Sequence, residues 1–264
     1  MLIILYLLAL TSSCCGQSWT KVEGFMKDVS IGEAGVWGLY NSYRIYYREG
    51  TYQEPNATGT SWTHVPGELV DIDVGGDIVV GLNAWNEVFY IKNITRENPT
   101  GSGLVQLDGN FQHVTVSPHG AIWGLDGDRS VWFRNGISLD NPGGTSWQKV
   151  DGSFRDISAG PSGVWTVNAY DEIFYREGTY GGNITVGSGW TKVDGAFFYI
   201  DSGSDMVLGV KRWRQNFRRI GISETNPTGN EWVRLDGGLS RIEEYGGTMW
   251  GVVGEKDVFT SLAN

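Results

Sequence analysis

A short phrase of alternating apolar and polar residues recurs along the whole chain at a nearly constant spacing. Its form is Trp-x-x-Val-x-Gly or a close variant, and successive copies begin 42 or 43 residues apart. The copies span Trp19–Gly24, Trp62–Gly67, Leu104–Gly109, Trp147–Gly152, Trp190–Gly195 and Trp232–Gly237. Three further short runs rich in β-branched and aromatic residues follow each phrase. Each repeat therefore contains four predicted β-strands, of which the phrase is the first.

The third strand of the repeat is apolar on both of its alternating faces, as in Val36–Leu39 and Ile122–Leu125. Such a strand is covered from both sides, which a blade achieves when it lies between two neighbouring blades. Six copies of four strands predict an all-β fold, a six-bladed β-propeller of four-stranded antiparallel blades. Because the last repeat ends after Phe259 without a Trp strand, we predict that Ser18–Val22 pairs beside Glu255–Thr260. The N-terminal strand then completes the last blade and closes the ring.

The first residues predict secretion. Leu2–Leu10 is an apolar run too short to span a bilayer, and small residues follow it up to Gly16. We interpret residues 1–16 as a cleaved signal peptide and residues 17–264 as a single propeller domain; a retained membrane anchor is the alternative. The two cysteines of the sequence, Cys14 and Cys15, lie in the signal segment, so the mature chain is expected to have no disulfide.

Charge and motif content argue against several classes of protein. The formal net charge of −10 opposes binding to nucleic acid or insertion into an anionic membrane surface. His64, His113 and His119 occupy unrelated positions of the repeat, and neither HExxH nor GxSxG is present. We therefore expect no enzymatic activity, no cofactor and no metal site.

The recurring motifs resemble the tectonin repeat family. They are Trp-x-x-Val-Asp-Gly, then a Val-Trp-Gly-like strand, then Ile-Phe/Tyr-Tyr-Arg, and the resemblance covers residues 18–262. The family includes lectins of fish eggs, horseshoe crabs and slime moulds. The resemblance implies a secreted lectin without catalysis that recognises glycans or bacterial lipopolysaccharide on microbial or egg surfaces in innate defence. A homo-oligomer is a candidate state of the protein. The alternative is a secreted propeller that docks proteins without binding sugar.

A lectin needs aromatic faces for the apolar side of a sugar, with amide, carboxylate and guanidinium groups to fix its hydroxyls. The repeat offers candidate carbohydrate-binding residues at three equivalent positions. The phrase contributes Trp19, Trp62, Trp147, Trp190 and Trp232. The position after the third strand contributes Asn83, Asp126 and Asn168, and the end of the fourth strand contributes Arg48, Arg134, Arg176 and Arg219.

Structural roles stay open for the same positions. Short polar side chains such as Asn83 often form turns, and Asp-Gly pairs at Asp108, Asp151, Asp194 and Asp236 also predict turns. The arginines could form exposed ion pairs with nearby Glu49, Glu87, Glu172 or Glu177. The third-strand tryptophans are expected to pack between blades. These are Trp37, Trp123, Trp165 and Trp250.

One segment concentrates positive charge in this acidic chain. Lys211–Arg219 contains five basic residues and two aromatic ones. Because guanidinium groups bind phosphate or carboxylate, Arg212, Trp213, Arg214 and Arg218 are a candidate patch for an anionic glycan. A solvated hairpin is the alternative.

Three sequons, at Asn56, Asn93 and Asn183, predict N-glycosylation. Each lies between the fourth strand of one repeat and the Trp strand of the next, where exposed loops are expected.

Overall fold

The computed structural model describes residues 17–262, which form twenty-four β-strands and no helix. The predicted signal peptide lies outside the described residues. The first twelve strands are β1 Thr20–Phe25, β2 Asp28–Gly32, β3 Gly35–Leu39, β4 Arg44–Arg48, β5 Trp62–Glu68, β6 Asp71–Val74, β7 Val79–Leu82, β8 Glu87–Ile91, β9 Leu104–Asn110, β10 His113–Val116, β11 Ile122–Leu125 and β12 Ser130–Asn135. The others are β13 Ser146–Ser153, β14 Asp156–Gly160, β15 Gly163–Val167, β16 Ile173–Arg176, β17 Trp190–Val193, β18 Tyr199–Ser202, β19 Val207–Val210, β20 Asn216–Ile220, β21 Glu231–Leu235, β22 Arg241–Tyr245, β23 Thr248–Val253 and β24 Asp257–Leu262.

The strands form six antiparallel sheets of four, and the protein is a six-bladed β-propeller as predicted. Blades 1 to 5 contain β2–β5, β6–β9, β10–β13, β14–β17 and β18–β21, each ordered from its innermost to its outermost strand. Each innermost strand contacts the innermost strands of both neighbouring blades, from β2 around to β22 and back to β2. The Trp strand of one repeat is the outermost strand of the preceding blade.

Blade 6 confirms the predicted closure of the ring. It contains β22, β23, β24 and, on its outer edge, β1. Thr20 pairs with Thr260, Lys21 with Phe259 and Val22 with Val258. The first and last strands of the described chain thus belong to one sheet, which leaves no unpaired edge at β24.

Side chains of each innermost strand accept hydrogen bonds from the backbone of the next blade. Ser30 Oγ accepts from Val74 N (3.0 Å) and Asp73 Oδ2 from Val116 N (2.6 Å). Equivalent bonds continue around the ring. They run from Ala159 N to Thr115 Oγ1, Ser202 N to Ser158 Oγ, Glu244 N to Asp201 Oδ2 and Ile31 N to Glu243 Oε2.

Six apolar clusters fill the spaces between neighbouring blades. The third-strand tryptophans of the repeat lie in these clusters and are fully buried, which confirms that they pack between blades. They are Trp37, Trp123, Trp165 and Trp250.

Antiparallel order gives the ring two different ends. The hairpin end carries the tips between the second and third strands of each blade and the connections between blades. The tips are residues 40–43, 83–86, 126–129, 168–172, 211–215 and 254–256. The long-loop end carries the turns after the innermost strands and the loops before the outermost strands. These loops are residues 49–61, 92–103, 136–145, 177–189 and 221–230.

Candidate functional site

The outermost-strand tryptophans are half-buried and fasten neighbouring blades together. Each indole Nε1 donates to a backbone carbonyl of the preceding blade at 2.7 Å, as Trp190 does to Asp151 O. The other four bonds are Trp19 to Asp236 O, Trp62 to Glu23 O, Trp147 to Asp108 O and Trp232 to Asp194 O.

The repeat arginines complete the same contacts. Arg176 is buried, its guanidinium lies 5.0 Å from the centroid of the Trp190 ring, and its Nη1 is 2.7 Å from Asp151 Oδ1. Its Nε donates to Val186 O at 2.9 Å. Arg48, Arg134 and Arg219 pair in the same way with Glu23, Asp108 and Asp194. We call this Arg–Trp–acid unit the interblade brace.

The brace corrects two sequence-based interpretations. The arginines are buried and pair with acids of the preceding blade, not with the nearby glutamates as exposed pairs. The Asp-Gly pairs in β9 and β13 lie inside a strand and do not form a hairpin turn. In these strands Gly109 and Gly152 have φ values of +106° and +111°, and they lie against Trp147 and Trp190. Both glycines lie where the register of strand pairing shifts, between β8 and β9 and between β12 and β13. Sugar contact through the brace residues stays a prediction.

The polar residues after the third strand of the repeat form the hairpin tips. Asn83 Oδ1 accepts from the backbone N of Trp85 and of Glu87 at 3.0 Å. Asp126 and Asn168 make the same pair of bonds in blades 3 and 4. The turn-forming role left open by the sequence is therefore present, and their glycan contact stays a prediction.

The structure divides the candidate anionic patch. Arg212, Trp213 and Arg214 are exposed at the tip of residues 211–215. Arg218 lies within β20, is partly buried and lines a cavity at the long-loop end with Ser204 and Asp205. Grouping Arg218 with the other three was wrong, because the chain has by then entered the strand.

Exposed aromatic side chains gather at the hairpin end. Trp85, Tyr170 and Trp213 occupy the same position of three different tips and are 76%, 83% and 88% exposed. Phe198, in the connection from blade 4 to blade 5, is 46% exposed. Apart from Trp213, these residues were not among the sequence-based candidates. The available signal was an aromatic residue in the middle of a turn, where small polar residues are typical.

Between blades 4 and 5 an ionic group joins the tips that carry Tyr170 and Trp213, and we call it the 4/5 site. Asp171 accepts from Arg155 Nη1 at 2.7 Å and from Arg212 Nε and Nη2 at 3.0 and 3.1 Å. Both guanidinium groups lie over the Phe198 ring, 4.5 and 5.1 Å from its centroid. Tyr170 precedes Asp171 and Trp213 follows Arg212, so the ion pair holds the two exposed tips beside each other.

A cavity of about 280 Å³ at the mouth of the central channel adjoins the 4/5 site and shares Arg155 and Phe198 with it. His113, in the same cavity, has Nδ1 3.0 Å from Asp71 Oδ2 and Nε2 3.6 Å from Asp156 Oδ1. Burial lowers the pKa of His113, but the carboxylates of Asp71 and Asp156 together outweigh burial and raise the pKa to about 10. The imidazole is therefore cationic at neutral pH.

Deeper in the channel the free space is small and is lined by buried carboxyl groups. Burial raises the pKa of Asp73 to about 6, although hydrogen bonds from Val116 and Thr115 act in the opposite direction. Burial also raises the pKa of Asp201 and Glu243 well above the usual range. The cavity at this depth is about 20 Å³, enough for a water molecule but not for a sugar.

The two ends of the ring differ in charge and in predicted glycosylation. The long loops contain six acidic and two basic residues, whereas the hairpin tips contain five of each. Asn56, Asn93 and Asn183 are all exposed in long loops. Attached N-glycans would therefore project from the end opposite the 4/5 site.

Within residues 17–262, no group of three or more His, Cys, Asp or Glu side chains could hold a metal ion. The same part of the chain contains no helix long and apolar enough to cross a membrane.

Fold and surface together define a six-bladed propeller with aromatic and cationic side chains concentrated at one end. The Tectonin domain model matches residues 6–111 and 52–254. The chain therefore belongs to the Tectonin domain family. No protein of curated function matches the sequence.

Solved structures show the same fold at low sequence identity. Human WBSCR16 is similar with a TM-score of 0.56 and 11% identity, over 92% of this chain and 72% of that one. Prp20p from Saccharomyces cerevisiae gives 0.54 and 13%, over 90% and 68%. Virginiamycin B lyase from Staphylococcus aureus gives 0.52 and 13%, over 93% and 99%. Identities this low establish only the shared architecture.

Proposed function

We propose that this protein is a secreted, non-enzymatic lectin that binds glycans or lipopolysaccharide on microbial or egg surfaces in innate defence. The observation that carries the proposal is the 4/5 site, where Asp171 holds Arg155 and Arg212, and where the residues next to Asp171 and Arg212 in the chain are the exposed aromatics Tyr170 and Trp213. Membership of the Tectonin family supports it.

The chemistry of the 4/5 site suits a sugar. The apolar face of a pyranose stacks on an exposed aromatic ring, while its hydroxyl groups need donors and acceptors at fixed positions. Asp171 holds both guanidinium groups and so reduces the entropy lost when they bind a ligand. Arg212 remains 56% exposed while it is held, so its free N–H groups face solvent and incoming hydroxyls.

The position of the sequons agrees with this assignment. All three lie at the long-loop end, so modification there would leave the 4/5 site accessible. Secretion and N-glycosylation are parts of the proposal. Expression of the full chain in eukaryotic cells tests secretion by its appearance in the medium, and endoglycosidase treatment of that protein tests N-glycosylation.

Binding to a glycan array and to immobilised lipopolysaccharide tests the function. We expect saturable binding by the wild type and about tenfold weaker binding by Trp213→Ala and Arg212→Ala, since aromatic and arginine anchors typically contribute 1 kcal/mol or more. Leu139→Ala is the matched control, because Leu139 is fully exposed at the long-loop end. Wild-type protein that binds no glycan but captures a protein partner would reject the lectin in favour of a docking propeller.

A further inference from the structure

The six blades consist of two similar halves of three blades each. Residues 45–52 read IYYREGTY and residues 173–180 read IFYREGTY, 128 positions later. The same interval relates NPTG at residues 98–101 to NPTG at 226–229, and Trp37 to Trp165. Because three blades are half of the ring, residues 128 positions apart in blades 1 and 4, or 2 and 5, lie on opposite blades at equivalent places; between blades 3 and 6 the interval is 127, as for Trp123 and Trp250.

This internal symmetry relates the exposed tryptophans of the hairpin end. Trp85 and Trp213 are 128 positions apart, on blades 2 and 5, each at the middle of its tip. They are the two most exposed tryptophans identified among the described residues. In blades 3 and 6 the tips carry Asp128 and Glu255 instead. Two opposite blades therefore present the same large aromatic surface to the same side of the molecule.

The surroundings of the two tryptophans differ in charge. Trp213 stands between Arg212 and Arg214, and Lys211 begins the same tip. The tip around Trp85 has no basic residue, and it consists of Asn83, Ala84 and Asn86.

The Trp85 tip is nevertheless held in place. Asn83 Oδ1 accepts from Trp85 N at 3.0 Å, and Asn110 Nδ2 donates to Trp85 O at 2.9 Å. The ring therefore projects from an ordered tip without a basic residue, next to the Glu87 carboxylate, which accepts from Asn83 Nδ2 at 2.6 Å.

We propose that the hairpin end contains two unlike sugar sites on opposite blades, one centred on Trp213 for an acidic sugar and one centred on Trp85 for a neutral sugar. The proposal rests on the glycan-binding function above. The tip that carries Trp213 contains Lys211, Arg212 and Arg214, and Arg212 is already paired with Asp171. The guanidinium of exposed Arg214 can bind a carboxylate or phosphate group through paired N–H donors. The amides of Asn86 and Asn110 lie at the surface beside Trp85 and offer uncharged donors and acceptors, as a neutral pyranose requires, whereas buried Asn83 is committed to the turn.

One ring with two sites on one face gains avidity on a glycan that presents both kinds of sugar. The second contact then forms within a complex that already exists, so its effective concentration is high. A polysaccharide carrying acidic and neutral residues is thus bound more tightly than one carrying either alone.

The test uses an array of neutral hexose oligosaccharides beside the same oligosaccharides with a 6-phosphate or a 6-carboxylate. We expect Trp213→Ala to lose about tenfold in affinity for the acidic members and to keep the neutral ones, and Trp85→Ala to show the reverse. The phosphate and carboxylate arms show which acid the Trp213 site accepts. Sodium chloride at high concentration should weaken only the acidic arm, because exposed charge pairs are screened.

Both tryptophans are exposed, so the variants should fold, and an unchanged unfolding midpoint verifies this; Leu139→Ala is the control. Equal losses in all arms for Trp213→Ala, or no loss in any arm for Trp85→Ala, would overturn the two-site proposal while leaving the lectin assignment intact. Absence of wild-type binding on every arm and on immobilised lipopolysaccharide would reject the lectin function itself.

Discussion

Replacing Arg176 with alanine should destabilise the ring by about 2–4 kcal/mol. The side chain is 4% exposed, and its loss leaves Val186 O without its donor, which costs about 1–3 kcal/mol. The guanidinium–indole contact with Trp190 adds about 0.5–2 kcal/mol. The pair with Asp151 adds little, since that carboxylate is 66% exposed and becomes hydrated when the arginine is absent.

Equilibrium denaturation in urea measures this change. Arg96→Ala is the control, because Arg96 and Glu54 form an ion pair at 3.7 Å in which both side chains are 59% exposed, and its removal should cost less than about 1 kcal/mol. A loss below about 0.5 kcal/mol for Arg176→Ala would refute the brace as a stabilising unit. Unchanged glycan binding by a correctly folded Arg176→Ala protein would assign Arg176 a purely structural role.

Two further predictions concern the channel and the closure of the ring. The pKa of His113 is raised in the folded state, so its stabilising contribution is complete below pH 6.5 and is lost as pH rises through about 10; the free energy of unfolding should decline over that range, and His113→Gln should remove the decline. An imidazole that loses its proton near pH 6.5 in an NMR titration contradicts this. Val22→Asp should cost about 3–5 kcal/mol by burying a carboxylate beside Val258, whereas Thr20→Asp at an exposed position of the same strand should cost less than about 1 kcal/mol, both measured by urea unfolding. Equal losses for the two variants would mean that β1 is not required for closure.

The fold could be predicted from the sequence because its evidence is periodic. Six phrases in register fix the number of blades, and the missing Trp strand after Phe259 indicates which strand must close the ring. Neither inference needs the position of any side chain. Both depend only on counting strands and on the requirement that edges be paired.

The brace could not be predicted in the same way, because its partners come from different blades. Arg176 and Asp151 are 25 positions apart, and they meet only once blades 3 and 4 stack. Arg212 and Asp171 are 41 positions apart and likewise come into contact only because blades 4 and 5 stack. Proximity in sequence was also misleading for Arg218, which is four positions from Arg214 but lies in β20, away from the tip.

The internal symmetry of the chain offers a natural test of whether the brace acts as one unit. In blade 5 the brace consists of Arg219, Trp232 and Asp194. The positions related to these by 128 residues hold Ile91, Leu104 and Pro66, so all three members are changed together.

This joint replacement is what strong coupling predicts. An arginine buried at the blade 2 position would have no acid to pair with, and a tryptophan there would have no guanidinium over its ring. Leu104 packs instead against Gly67, where an added Cβ would lie 2.4 Å from its methyl group. Arg176→Ile combined with Trp190→Leu should therefore cost less than the sum of the two single changes, and additivity within about 0.5 kcal/mol would show that the brace residues act independently.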